Sequence, residues 1–148
     1  MSAQVRRAMA AYSSQSLDAD VNTASPHRLI VLLYDGAIKA VTIAKLHMQN
    51  MNIGEKGAAI SKAISIIEEG LRLSLDRESG GELAQNLDAL YEYIAYLLLE
   101  ANIQNDIEKL DTALSLLKDL KESWDSIALE VQQNHQAGQE QMVQYGSI

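Results

Sequence analysis

From Pro26 onward, apolar residues recur at three- and four-residue spacings, and no segment long enough to be a strand alternates with period two. Four start signals divide this pattern into helices. Ser25-Pro26 pairs an N-cap residue with the residue type favoured at the first helical position, which predicts a first helix to about Asn50. Asn52 with Glu55 opens a second helix to about Leu75, and Ser79 with Glu82 is a capping-box pattern opening a third to about Ile103. Asn105 with Glu108 opens a fourth, to around Val131. Helices of roughly 22 to 28 residues joined by links of a few residues pack antiparallel, giving an all-α up-down four-helix bundle.

The predicted seams are Leu29, Leu33, Ala37, Ala40 and Ala44 on the first helix and Ile60, Ala63, Ile64, Ile67 and Leu71 on the second. On the third they are Leu83, Leu87, Leu90, Ile94, Leu97 and Ala101, and on the fourth Leu110, Leu114, Leu117, Trp124 and Val131. Three regions follow: an N-terminal segment 1–24 with a short Ala-rich helical patch, the bundle 25–131, and a Gln-rich tail 132–148 expected to be disordered.

Composition narrows the function. Of 148 residues, 47% are hydrophobic, with 12 Lys+Arg against 20 Asp+Glu and a net charge of −8. The termini contribute little of it, so the body is acidic and unsuited to a phosphate backbone, which argues against nucleic acid. The longest apolar runs, Leu29 to Tyr34 and Ile94 to Leu99, fall far short of the roughly 18 to 20 residues of a membrane span. Arg6-Arg7 before Ala8 to Ala11 is too short an apolar stretch for an export signal, so a cytoplasmic location is expected, with no membrane insertion. The lack of cysteine excludes disulfides, thiol catalysis and Cys-based zinc sites.

Candidate chemistry is sparse. Bundles often hold di-iron centres through paired Glu-x-x-His motifs, but Ala24, Ala44 and Gln132 precede His27, His47 and His135 by three residues. His47 is the one candidate for phosphotransfer and lacks the Lys-Gly environment such modules show. Ser115 and Lys118 match a Ser-x-x-Lys string without its companion motifs, adjacent Glu68 and Glu69 read as a solvated face, and no Gly-rich phosphate loop is present. Neither catalysis nor a metal or other cofactor is expected.

Surplus apolar surface is the informative anomaly. A bundle helix needs an apolar stripe of only about 100° to face its core. The first helix carries a second one, Ile30, Leu33, Tyr34, Ile38 and Val41, and the third offers Leu90, Tyr93 and Leu97 beside its seam. Dimer contact or over-wide burial would account for this surplus; so would a groove for another polypeptide's apolar helix.

The same segments resemble the flagellar secretion chaperones of the FliS family. The matching strings are Thr23-Ala-Ser-Pro26, Leu33-Tyr-Asp-Gly-Ala-Ile38, Gly80-Gly-Glu-Leu-Ala-Gln-Asn-Leu87, Leu90-Tyr-Glu-Tyr93 and Leu98-Leu-Glu-Ala-Asn102 with Asp106, together with Trp124 and Tyr12. The resemblance implies a cytosolic chaperone that binds the disordered C-terminal segment of flagellin, prevents early polymerisation and presents it to the export gate protein FlhA. On this reading Ile30, Leu33, Tyr34, Ile38, Leu90, Tyr93 and Leu97 form the client groove. Met9 and Tyr12 would belong to a movable lid that also contacts the gate, and the free protein is expected to be a monomer or weak homodimer. A client-free structural bundle is the rival reading, and a histidine phosphotransfer module a weaker one.

Overall fold

A computed structural model describes residues 25–146 apart from Arg77, with side chains through Ser126. Four helices follow in order: α1 (Pro26–Gln49), α2 (Ile53–Ser65, continued by a π-helical segment Ile66–Leu71), α3 (Gly81–Gln104) and α4 (Ile107–Gly146). Cross-links between neighbours fix their directions. Asp35 and Lys45 of α1 pair with Lys121 and Asp111 of α4, each at 2.7 Å. Arg72, just past α2, meets Asp88 of α3 at 2.8 Å, while Lys56 near the start of α2 reaches the Asn102 carbonyl at 3.1 Å. Both pairs of contacts run in reversed sequence order, so the bundle is antiparallel as the pattern predicts.

The first helix starts where expected: the Ser25 hydroxyl accepts the Arg28 N–H at 3.2 Å, and Pro26 occupies the first turn. The other start signals act differently. The Asn52 side chain makes no cap bond and instead faces His47 Nδ1 at 3.4 Å. Ser79 does not cap α3, because its hydroxyl donates to the Asp76 carboxylate; the cap position is Gly80, without a side-chain acceptor. Asn105 ends α3 in the left-handed region, φ 53°, while Asp106 Oδ1 takes the Glu108 N–H at 3.0 Å at the start of α4.

Two helix ends also differ. The second helix stops at Leu71 rather than near Leu75: the Arg72 N–H bonds back to the Ile67 carbonyl at 2.9 Å, and the Ser74 hydroxyl donates to the Leu71 carbonyl at 2.7 Å. The fourth continues past Val131 through helix-compatible Gln, Glu and Ala to Gly146, interrupted in composition only by Gly138.

The core is apolar and continuous across the helices. Leu29, Leu33, Ala37, Ala40 and Ala44 of α1 are buried, as are Ile60, Ala63, Ile67 and Leu71, with Leu110, Ala113 and Leu117 from α4. On α3 the predicted seam holds in the C-terminal half, where Ile94, Leu97 and Ala101 are buried, and departs from the buried stripe in the N-terminal half. There Ala84 and Tyr91 are buried, whereas Leu83 is 65% exposed and Leu87 and Leu90 are half-buried. Burial of the large Tyr91 ring on this side is accompanied by a long-range bond, since its hydroxyl pairs inside the core with that of Tyr34. Close approach explains one glycine, since a Cβ on Gly70 would lie 3.0 Å from Leu33 Cδ2. The side chain of Val131 lies outside the described residues.

Candidate functional site

At the end of the bundle where α1 and α3 begin and α2 finishes, four elements leave an apolar cleft of about 350 Å³. Pro26, His27 and Ile30 form one wall, Leu83, Ala84, Leu87 and Tyr91 another; Ser74, Leu75, Asp76 and Gly80 supply the loop side, and Trp124 of α4 closes it. The volume lies in the roughly 300 to 1,000 Å³ range of ligand pockets. Short helix starts and the turn after the π-helical segment cannot cover one another here, so Leu83 stands 65% exposed at the rim.

Behind the cleft sit the polar groups of an otherwise apolar core. Tyr34 and Tyr91 share a buried hydroxyl–hydroxyl hydrogen bond, with ring centroids 6.3 Å apart. Burial pushes both phenols above the ordinary tyrosine range; interaction with the Trp124 side chain pulls the other way. Trp124 also packs on His27, centroids 5.7 Å apart at 56°, and His27 Nδ1 is buried without a hydrogen-bond partner among the described residues. On the loop side Asp76 is held below its usual carboxylate range, first by the Ser79 hydroxyl and then by the Ser79 N–H. The Arg72 guanidinium donates to Asp88, which fastens the end of α2 to α3, and to Glu68 one turn back, and these carboxylates hold it firmly charged.

The seven predicted groove residues are not gathered in one open surface. Ile30 alone among them lines the cleft. Leu33, Tyr34 and Leu97 are closed in the core, and Ile38 and Leu90 are half-buried against it, because the second stripe of α1 is consumed by contacts with the neighbouring helices. Tyr93 is 49% exposed on the outer side of α3. Met9 and Tyr12 lie outside the described residues. The residues that sequence reasoning did not place at the site are Leu83, Leu87 and Trp124, read as seam, and Tyr91. Leu83 and Leu87 lie in the first two turns of α3, where a seam runs out of partners; Tyr91 and Trp124 carry no such mark.

The arrangement offers apolar burial and few polar anchors, the character of a protein-binding module built on a helical scaffold. No described helix is long and apolar enough to cross a membrane. Comparison with known sequences defines the module further. The family described as "Flagellar protein FliS" matches residues 8–131, and the chain belongs to that family. It is similar to Flagellar secretion chaperone FliSB of Pseudomonas aeruginosa, 48% identical over 82% of this chain and 96% of that protein. It is also similar to the Flagellar secretion chaperone FliS of Salmonella typhimurium, 43% identical over 80% of this chain and 87% of the other, and to that of Escherichia coli, 43% identical over 77% and 84%. The family is one of secretion chaperones acting in flagellar biogenesis.

Proposed function

We propose that this chain is a cytoplasmic export chaperone whose client is the C-terminal disordered segment of flagellin, held in the apolar cleft and passed to the export gate protein FlhA. The observation that carries the reading is the cleft itself, an apolar recess at the end of a bundle in a secretion-chaperone family. A disordered client loses conformational entropy on docking, so binding requires several buried apolar anchors, each contributing about 1.5 to 3 kcal/mol when fully buried. Ile30, Leu83 and Leu87 offer such contacts, with Tyr93 a further anchor on the outer side. The core residues Leu33, Tyr34 and Leu97 then act from behind, by holding the cleft walls in place.

The N-terminal segment joins the bundle at Ser25-Pro26, on the cleft's own wall, which favours its assignment as a lid. Its apolar patch at Met9 to Tyr12 is shorter than the roughly 12 to 15 residues at which isolated helices become marginal, so it gains by docking. A tethered lid competes with client at high effective concentration, and a displaced Tyr12 is free to meet the gate.

Titration with a flagellin C-terminal peptide tests the client assignment directly. Trp124 lines the cleft, so docking there shifts and enhances its fluorescence. Leu83→Glu should weaken binding by more than about tenfold with no loss of thermal stability, since the side chain is 65% exposed. Unchanged affinity in that variant, or no complex with the wild type, rejects the cleft as the client site.

A further inference from the structure

The outer face of α3 carries a pattern that the bundle does not use. Gln85, Ala89, Glu92, Tyr96, Leu99 and Ile103 all point away from the core and are exposed, and their spacings alternate four and three. That is the seam of a coiled coil, placed opposite the helix's buried stripe and apolar in its C-terminal half. Tyr96, Leu99 and Ile103 are 56%, 48% and 70% exposed, large side chains one above another with no described element over them. Single exposed apolar residues are ordinary; three in register on one seam are not.

Charge selects the occupant. Within α3 there are four carboxylates, Glu82, Asp88, Glu92 and Glu100, and no Lys, Arg or His. Glu92 sits in the seam itself and makes no hydrogen bond or ion pair with a described residue, whereas the flanking Asp88 is paired with Arg72 at 2.8 Å and Glu100 with Lys109 at 3.7 Å. A second copy laid seam to seam would set carboxylates against carboxylates in a chain that already carries −8. A helix with apolar residues at the same spacing and Lys or Arg beside them meets no such opposition.

We propose that the outer face of α3 is a docking seam for a basic amphipathic helix of another polypeptide, built on Tyr96, Leu99 and Ile103 and steered by Glu92. The proposal does not depend on flagellin being the client of the cleft. Its location at the C-terminal half of α3, about 20 to 30 Å along the helix from Leu83 at 1.5 Å per residue, leaves both surfaces available to separate partners.

A synthetic helix of four heptads with Leu at the seam positions and Lys beside them is the probe, and the same peptide with Glu in place of Lys is its control. The full chain should bind the Lys peptide at least about tenfold more tightly than the Glu peptide, and the affinity should fall as salt is raised. The combined Tyr96→Ser, Leu99→Ser and Ile103→Ser variant should lose at least about tenfold in affinity with unchanged thermal unfolding, and Glu92→Gln should lose a few-fold. Equal binding by the triple-serine variant would overturn the proposal, because charge alone would then account for the complex. Failure of the full chain to bind the Lys peptide would overturn it as well. So would sedimentation showing a wild-type dimer that the triple substitution dissociates, since the occupant would then be a second copy.

Discussion

Where α1 turns into α2 and α3 into α4, the backbone groups freed by the helix ends find partners close at hand. Asn50 and Asn52 donate their N–H groups to the Leu46 and His47 carbonyls at 3.0 and 2.8 Å. Asp106 caps α4, and Lys56, only 4% exposed, donates to the Asn102 carbonyl and to Asn105 Oδ1 at 3.1 and 2.5 Å. At the opposite end, α3 begins at Gly80 without a side-chain cap, Gly81 adopts φ +56°, and the apolar cleft lies open beside them. A cation ties α2 to α3 at each end, Lys56 at the first and Arg72 at the second. The second also leaves the apolar side chain of Leu83 short of partners, and that shortfall is what a client segment can fill. A concave recess forms at the end where the helix starts have no neighbours to cover them.

The sharpest way to break this comparison is to truncate a leucine on each side of it. Leu98 is fully buried in the middle of α3, and Leu98→Ala should cost about 2 to 5 kcal/mol in urea unfolding. Leu83, on the same helix but at the cleft rim, should lose no more than about 0.5 kcal/mol on the same substitution. Equal losses would mean that the cleft is closed in the free protein.

A smaller effect is expected at the Lys56 end. Lys56→Met keeps the apolar stem and removes the two hydrogen bonds that tie α2 to the end of α3, so it should cost about 1 to 3 kcal/mol. Hydrogen exchange sharpens the reading: protection should fall in the last turn of α3 and the first turns of α2, and stay unchanged around the cleft. A uniform loss along the bundle would show that both ends unfold as one unit.

How much of this was legible beforehand depends on the range of the interactions involved. Ser25-Pro26 is a local signal, and it marked α1 correctly because capping and proline geometry act within one turn. The antiparallel bundle was legible too, since periodic segments with short links admit few packings. Phase was legible only in part. The third helix carries apolar residues on several faces, and the choice of Tyr91 over Leu90 for the core is accompanied by a hydroxyl pairing with Tyr34, 57 residues away. Burial of Lys56 depends likewise on the far end of α3, and the π-helical turn at Ile66–Leu71 has no periodic mark of its own. The cleft is made by four elements that meet only in three dimensions, so the sequence pointed to surplus apolar surface without marking Leu83, Leu87 and Trp124 as the walls of a recess. Family motifs succeeded where periodicity failed, because they register residue identity at fixed positions irrespective of which face is buried.

The Tyr34–Tyr91 pair provides the subtlest test of the difference between the two ends, because it couples the wall of the cleft to the core through titratable groups. Burial raises the Tyr34 phenol far above its ordinary value of 10.0. In the unfolded chain the same phenol ionises near that ordinary value, so above it the unfolded state binds fewer protons than the native one. Stability from this group is therefore fully present below about pH 10 and declines as pH rises beyond it, by on the order of 1 kcal/mol at pH 11. Tyr91, raised by burial in the same direction, adds to the decline. Urea unfolding of the wild type and Tyr34→Phe at pH 8 and pH 11 isolates the contribution, since the lysines titrate alike in both proteins. The phenylalanine variant should lose less stability across that interval. If the two proteins lost the same amount, the Tyr34 hydroxyl would be in contact with water, and the polar wall behind the cleft would be open rather than sealed.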